Sequence, residues 1–141
     1  MSALPTVRDR LERLPLSLLL LAMRIAVAAV FFRSGLLKID SWEFTVQLFR
    51  DEYHVPLLDP ALAARLATTL ELGIPPFLAV GLATRFATLP LLGMIAVIQV
   101  FVYPNAWSDH LMWSSALLLV LSRGPGAWSL DHVLTRVRAT R

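Results

Sequence analysis

An all-α membrane protein, an antiparallel bundle of four transmembrane helices with amphipathic interfacial helices, is the fold this sequence predicts. Three observations lead there. Of the 141 residues, 57% are hydrophobic and 16% charged, against roughly 45–50% and about 25% in soluble chains. Four apolar runs, at about residues 16–37, 61–82, 86–103 and 107–122, approach the roughly 20 residues that a helix rising ~1.5 Å per residue needs to cross a bilayer. The basic residues, finally, gather on one side of those runs. Residues 1–141 are read as a single domain, with no internal repeat, and helix is the required element because open sheet edges are not tolerated in lipid.

In chain order, residues 1–15 place Leu4, Val7, Leu11 and Leu14 at helical spacing with Arg8, Arg10 and Arg13 between them. A surface helix is expected there, basic toward headgroups. The apolar run that follows is too long for a signal-peptide core, and no A-x-A-like site closes it. The first span, Leu16 to Leu37, carries Arg24 and Arg33. Between the first two spans, Trp42, Val46, Phe49 and Tyr53 recur at i, i+4, i+7 and i+11. That spacing predicts an amphipathic helix at the interface, N-capped by Asp40 or Ser41 and packed on the bundle through its aromatics. Asp59-Pro60 reads as an N-cap and a first-turn proline opening the second span. Thr84-Arg85 make a tight turn into the third span, which Pro104-Asn105 break. Gly124-Pro125-Gly126 end the fourth span. Ser129 can cap a final helix with Leu130, Val133, Leu134 and Val137 on one face.

Topology follows from the distribution of charge. With four spans, Arg8, Arg10, Arg13, Arg85, Arg123, Arg136, Arg138 and Arg141 share one side, and only Lys38 and Arg50 lie on the other with most of the acidic residues. The basic side is cytoplasmic by the positive-inside rule, so both termini are expected inside the cell (inner) membrane.

The polar residues within the spans carry the functional question. Glu71 sits in the middle of an apolar helix, with Pro75-Pro76 a turn further on, and a carboxylate at that depth requires a partner or a task. Counted from Arg13 and Arg85, the residues Arg24, Glu71 and Gln99 fall at similar depths. They are expected to meet, as a structural ion pair with an added hydrogen bond or as a polar pocket that binds a quinone-like headgroup or relays protons. Arg33, Lys38, Arg65 and His110 lie toward the outer face, where the cations snorkel or pair with the acidic outer loop, or together form a second, anion-binding site. His54, His110 and His132 are at depths unsuited to haem, and no metal site is expected. No serine–histidine–acid set, P-loop or dinucleotide fingerprint occurs. The absence of cysteine rules out thiolate chemistry within this chain. Trp42, Tyr53, Tyr103, Trp107 and Trp128 read as an aromatic belt.

Several of these residues together resemble the DoxX family of small integral membrane proteins. The first helix, with its buried arginine followed by Gly35-Leu-Leu-Lys38, is similar to that family's first helix. Glu71-Leu-Gly73 with Gly81-Leu-Ala-Thr84-Arg85 looks like its second helix and turn. Gly124-Pro125-Gly126-Ala-Trp-Ser129-Leu-Asp131 looks like its C-terminal signature. The sequence departs from the pattern at Ile74-Pro75-Pro76, where a second glycine often follows. The resemblance implies a four-helix membrane fold and a subunit or adaptor of a redox complex, quinone-linked or responding to oxidative stress. On that reading a protein partner handles the electrons and this chain has no independent catalytic activity or resident cofactor. The alternatives are a quinone- or lipid-binding membrane protein and a small-solute carrier. The bilayer and a protein partner, with self-association as an option, are the expected associations; nucleic acid is not.

Overall fold

Helix boundaries here are set by glycine, by proline and by side-chain caps at identifiable positions. The computed structural model describes residues 14–139. The surface helix expected over residues 1–15 therefore falls, apart from Leu14 and Pro15, outside the described residues. The α-helices are α1 (Leu16–Asp40), α2 (Trp42–Leu48), α3 (Pro60–Val80), α4 (Thr84–Val97), α5 (Trp107–Arg123) and α6 (Leu130–Ala139). Two π-helical turns, Phe49–Tyr53 and Ile98–Val102, continue α2 and α4, and a 3-10 turn at Pro104–Ala106 leads into α5. No strand occurs among the described residues.

The first helix runs past the expected end at Leu37, so Asp40 is its last residue and not the cap of the next. Ser41 precedes α2 without a side-chain cap bond. The junction is held instead by Thr45, whose N–H donates to Ser41 O at 2.9 Å and whose hydroxyl donates to Lys38 O at 3.1 Å. The start of α3 is as the sequence predicts. Asp59 Oδ2 accepts from the N–H groups of Ala61 and Leu62 at 3.1 and 3.2 Å, with Pro60 in the first turn. Pro75 and Pro76 lie inside α3 and do not end it. Having no N–H, they leave the carbonyls of Glu71 and Leu72 without their usual helical donors.

Gly81 ends α3 in the left-handed region at φ +74°, where a side chain is disfavoured. Ser129 caps α6 as expected, accepting from His132 N–H at 3.2 Å.

Two helices, α1 and the continuous stretch Thr84–Val102, are long and apolar enough to cross a membrane. The sequence reading expects two more, but α3 carries Arg65, Glu71 and its prolines, and α5 has 17 residues. α1 packs along α3 and against α5, and α4 packs against the same two helices, which closes the circuit of contacts. Leu20, Val27, Phe31, Leu78, Leu91 and Leu117 fill the centre. Ile25, Phe32, Leu66, Phe86 and Leu118 are exposed on the outside. Helices that are apolar all round fit a lipid surround better than water. At the Asp40–Asp59 end, Phe49 is buried against Ala63 and Ala64, with Trp42, Val46 and Tyr53 packed around them. The predicted aromatic face thus lies on α3.

Candidate functional site: a chamber lined by an ion pair

Glu71 is buried, at 3% exposure, and its partner is Lys38 rather than Arg24. Lys38 Nζ donates to Oε1 and Oε2 at 2.9 and 2.8 Å and to Ser34 Oγ at 2.9 Å. Ser34 Oγ in turn donates to Glu71 Oε1 at 3.2 Å. An ammonium has three donors, and here each has an acceptor; a carboxylate offers about four acceptor sites, so one remains open. The arrangement follows from helical spacing. Ser34 and Lys38 stand one turn apart on α1, and Gly35 between them lets α3 come close: a Cβ there would lie 2.8 Å from Leu72 and 3.0 Å from Glu71 Cβ.

These three side chains form the polar wall of a chamber of about 590 Å³. Phe31, Leu70, Met94 and Trp113 supply apolar walls, and Phe49, Tyr53, Tyr103 and His110 line its end beside the 40–59 segment. That size, with mostly apolar walls and a few polar groups, is typical of a small-molecule site. Both π-helical turns lie at this end. One contributes Phe49 and Tyr53, and the other contributes Ile98 and Val102, with Tyr103 directly after it. Such turns are frequent at functional sites. The Tyr53 and Tyr103 hydroxyls are 3.0 Å apart, and their rings meet edge to face. Burial pushes the Tyr53 phenol up, and the bond to Tyr103 adds to this, so it stays neutral at physiological pH.

Gln99 belongs to the end of the chamber near His110 and not to the level of Glu71. Its Nε2 donates to Pro104 O at 2.8 Å, so its Oε1 is the acceptor facing His110 Nδ1 at 2.6 Å. His110 therefore carries a hydrogen on Nδ1.

Arg24, 1% exposed, lies at the opposite end. Its Nη1 donates to Leu78 O and Ala79 O at 3.3 and 3.0 Å, and its Nη2 to Trp128 O at 2.6 Å. A cation suits the C-terminal carbonyls of α3. The motif residues of the C-terminal segment assemble around this contact. Asp131 accepts from Ala83 N–H, Thr84 N–H and the Thr84 hydroxyl at 2.8–2.9 Å, while its own N–H donates to Gly81 O at 2.9 Å. Gly81 leaves no room for a side chain, since a Cβ would collide with Arg24 Nη1 and with Ser129 Cβ. Gly126 lies over Ser17, whose hydroxyl accepts from Ala127 N–H at 3.0 Å. Burial would push the Asp131 carboxyl up, but the Thr84 and Ala83 donors, with the Arg24 charge, hold it below the usual carboxylate range.

The expected meeting of Arg24, Glu71 and Gln99 is thus replaced by separate contacts. The reason is one of level. Gly35 faces Glu71, and Arg24 faces Gly81, so α1 begins about two turns below the α3–α4 turn, and equal residue counts along α1 and α3 do not give equal depths. Of the four outer residues, Lys38 and His110 line the chamber, while Arg33 and Arg65 are exposed and are not among its lining residues. Tyr53 and Tyr103, belt residues by sequence, line the chamber, as does Ser34, which the sequence does not single out. The Ser34–Lys38 spacing was the available signal.

The fold and the chamber define a helical membrane protein with an internal, mostly apolar site. Compared with known families, residues 19–104 match the DoxX family, and the chain belongs to it. It is 28% identical over 132 residues to an uncharacterized protein of Haemophilus influenzae, a match covering 86% of this chain and 87% of that one. No solved structure matches the chain.

Proposed function

We propose that this chain binds a lipid-soluble molecule with a hydrogen-bonding head, of the quinone or lipid type, in the chamber beside Lys38 and Glu71. The single observation that carries the reading is the placement of a buried ion pair on the wall of an apolar space of about 590 Å³. A pair needed only to lock two helices would be expected to be packed over. This one faces open volume and keeps an acceptor site free. The DoxX resemblance supports placing that binding within a membrane redox complex, where a partner protein handles the electrons. Mass spectrometry of the protein extracted in mild detergent tests it. One lipophilic molecule per chain is expected, and it should be lost in the Lys38→Leu, Glu71→Leu double variant. An empty chamber alongside a stable protein partner would leave only the adaptor role.

The proposal includes the topology: four spans in an antiparallel bundle, multi-pass in the inner membrane, with both termini cytoplasmic. The excess of basic residues on the terminal side supports it. A reporter fused after Arg141 should read cytoplasmic and one inserted near Asp51 external. An external C-terminus would overturn the four-span arrangement.

A further inference from the structure

The walls of the chamber are unequal. Between α1 and α5 it is shut by Phe31 and Trp113, whose rings meet edge to face at 5.8 Å. At its end beside the 40–59 segment, Phe49, Tyr53 and Tyr103 are linked ring to ring at 4.9 and 5.5 Å, with Tyr103 48% exposed. Between α3 and α4 the lining is different. Gly93 lines the chamber yet is exposed on the outer surface, and a side chain built there would meet no atom within 4 Å. Leu66 and Val97 also line the chamber, and they are 47% and 39% exposed. The same residues therefore belong both to the cavity and to the apolar surface of the protein.

Depth follows from the turn that joins α3 and α4. Glu71 lies ten residues before Gly81 and Gly93 nine residues after Thr84. At about 1.5 Å per residue, both are some 14–15 Å from the turn, near the middle of a ~30 Å hydrocarbon core. The gap between α3 and α4 thus opens toward acyl chains and not toward water.

We infer that the chamber is entered sideways from the bilayer, past Gly93 between α3 and α4, and that its ligand is an amphiphile. The head rests at Ser34, Lys38 and Glu71, and an apolar tail runs out through the gap into the lipid. This rests on the binding reading above and names the ligand's shape and route. A polar solute would have to cross hydrocarbon to reach such an opening, whereas a tailed molecule already dissolved in the bilayer meets it directly. The tail needs no enclosing pocket because lipid serves in its place. Gly93, with no backbone strain requiring glycine, keeps the gap open.

The test uses the purified full chain in liposomes and two probes with one head: a fully substituted 1,4-benzoquinone with a decyl tail ending in a diazirine, and the same ring without the tail. Tail-less binding is read by equilibrium dialysis, and tailed binding by photolabelling with peptide mapping. Wild type should bind both, with the label on α3 and α4 around Leu66 and Val97 or on lipid. Gly93→Trp should reduce labelling by the tailed probe to background, while Gly73→Trp keeps both labelling and tail-less binding at the wild-type level. Gly73→Trp is the control, because Gly73 is also exposed with no atom within 4 Å of an added Cβ, and it does not line the chamber. Gly93→Leu provides a smaller plug should tryptophan impair folding. Labelling of the Gly93 variants at the wild-type level, equal loss in Gly73→Trp, or label confined to residues 49–58 would each overturn the lateral route while leaving the binding reading intact. Failure of wild type to bind either probe would overturn both.

Discussion

Replacing Glu71 with leucine should lower the thermal unfolding midpoint in detergent sharply, because it leaves the Lys38 ammonium facing an apolar wall. Breaking a buried pair costs about 3–5 kcal/mol. The loss here should fall toward the lower end, since the Lys38 side chain is 18% exposed and keeps Ser34 as a partner. Glu71→Gln should be milder, because the amide oxygen still accepts from the ammonium. The Lys38→Leu, Glu71→Leu double variant should recover most of the midpoint, as removing both charges removes the desolvation problem along with the attraction. Adding Arg24→Leu to Glu71→Leu should give no recovery, since Arg24 bonds to backbone carbonyls at the other end of α3. Recovery with Arg24 instead of Lys38 would refute the pairing.

The same double variant separates stability from binding. If Lys38, Glu71 and Ser34 serve only to fix the register of α1 on α3, a stable apolar replacement leaves the chamber as competent as before. If the ion pair holds a ligand head, the replacement is stable and empty. Glu71 can take part in such binding without being stripped of Lys38, because its carboxylate has capacity for one more donor.

Much of the helical layout was legible because its signals are local. Asp59-Pro60 marks the start of α3 and Ser129 the start of α6, each through hydrogen bonds that depend on a few adjacent residues. The periodic aromatics from Trp42 to Tyr53 announced a face, and Ala63 and Ala64 supply the surface it meets. What was not legible is the π-helical widening at Phe49–Tyr53 and Ile98–Val102. No residue type demands it, and it arises from how two elements meet above the chamber.

The site was legible in its members and not in its pairings. Glu71 stood out because a carboxylate in an apolar helix requires compensation. Choosing its partner needed the relative level of two helices, and counting from charged residues assumes that each marks the same membrane plane. α1 begins below the α3–α4 turn, so Arg24 arrives at Gly81 and Ser34–Lys38 arrive at Glu71. Gln99 was misplaced for a related reason. It lies fifteen residues beyond Thr84, whereas Glu71 lies ten before Gly81, a difference of about 7 Å at ~1.5 Å per residue. The glycines at 35 and 81 record the true levels, since each marks a place where another helix's side chain comes too close for a Cβ.

Arg24→Leu should detach the C-terminal segment from the α3–α4 turn. The guanidinium spans two elements, joining the last carbonyls of α3 to Trp128 O. Hydrogen bonds to charged groups contribute about 1.5–3 kcal/mol each, and such losses within one network do not add. The expected result is a lower unfolding midpoint together with rapid proteolysis and amide exchange between Gly124 and Ser129, while the Lys38–Glu71 end is unaffected. Arg24→Lys should rescue little, because one ammonium cannot reproduce the guanidinium fork that reaches both partners. Asp131 holds the other half of this clamp, and its depressed pKa gives the clamp a pH dependence. A carboxylate with a lowered folded-state pKa stabilises fully above its unfolded value of about 3.9, and that contribution is lost as pH falls through the lower folded value. Wild type should therefore lose protection of the segment in that acid range. Asp131→Asn should be less protected at neutral pH and lack the acid step. Undiminished protection of residues 124–129 in Arg24→Leu at neutral pH would show that the segment is held without the arginine.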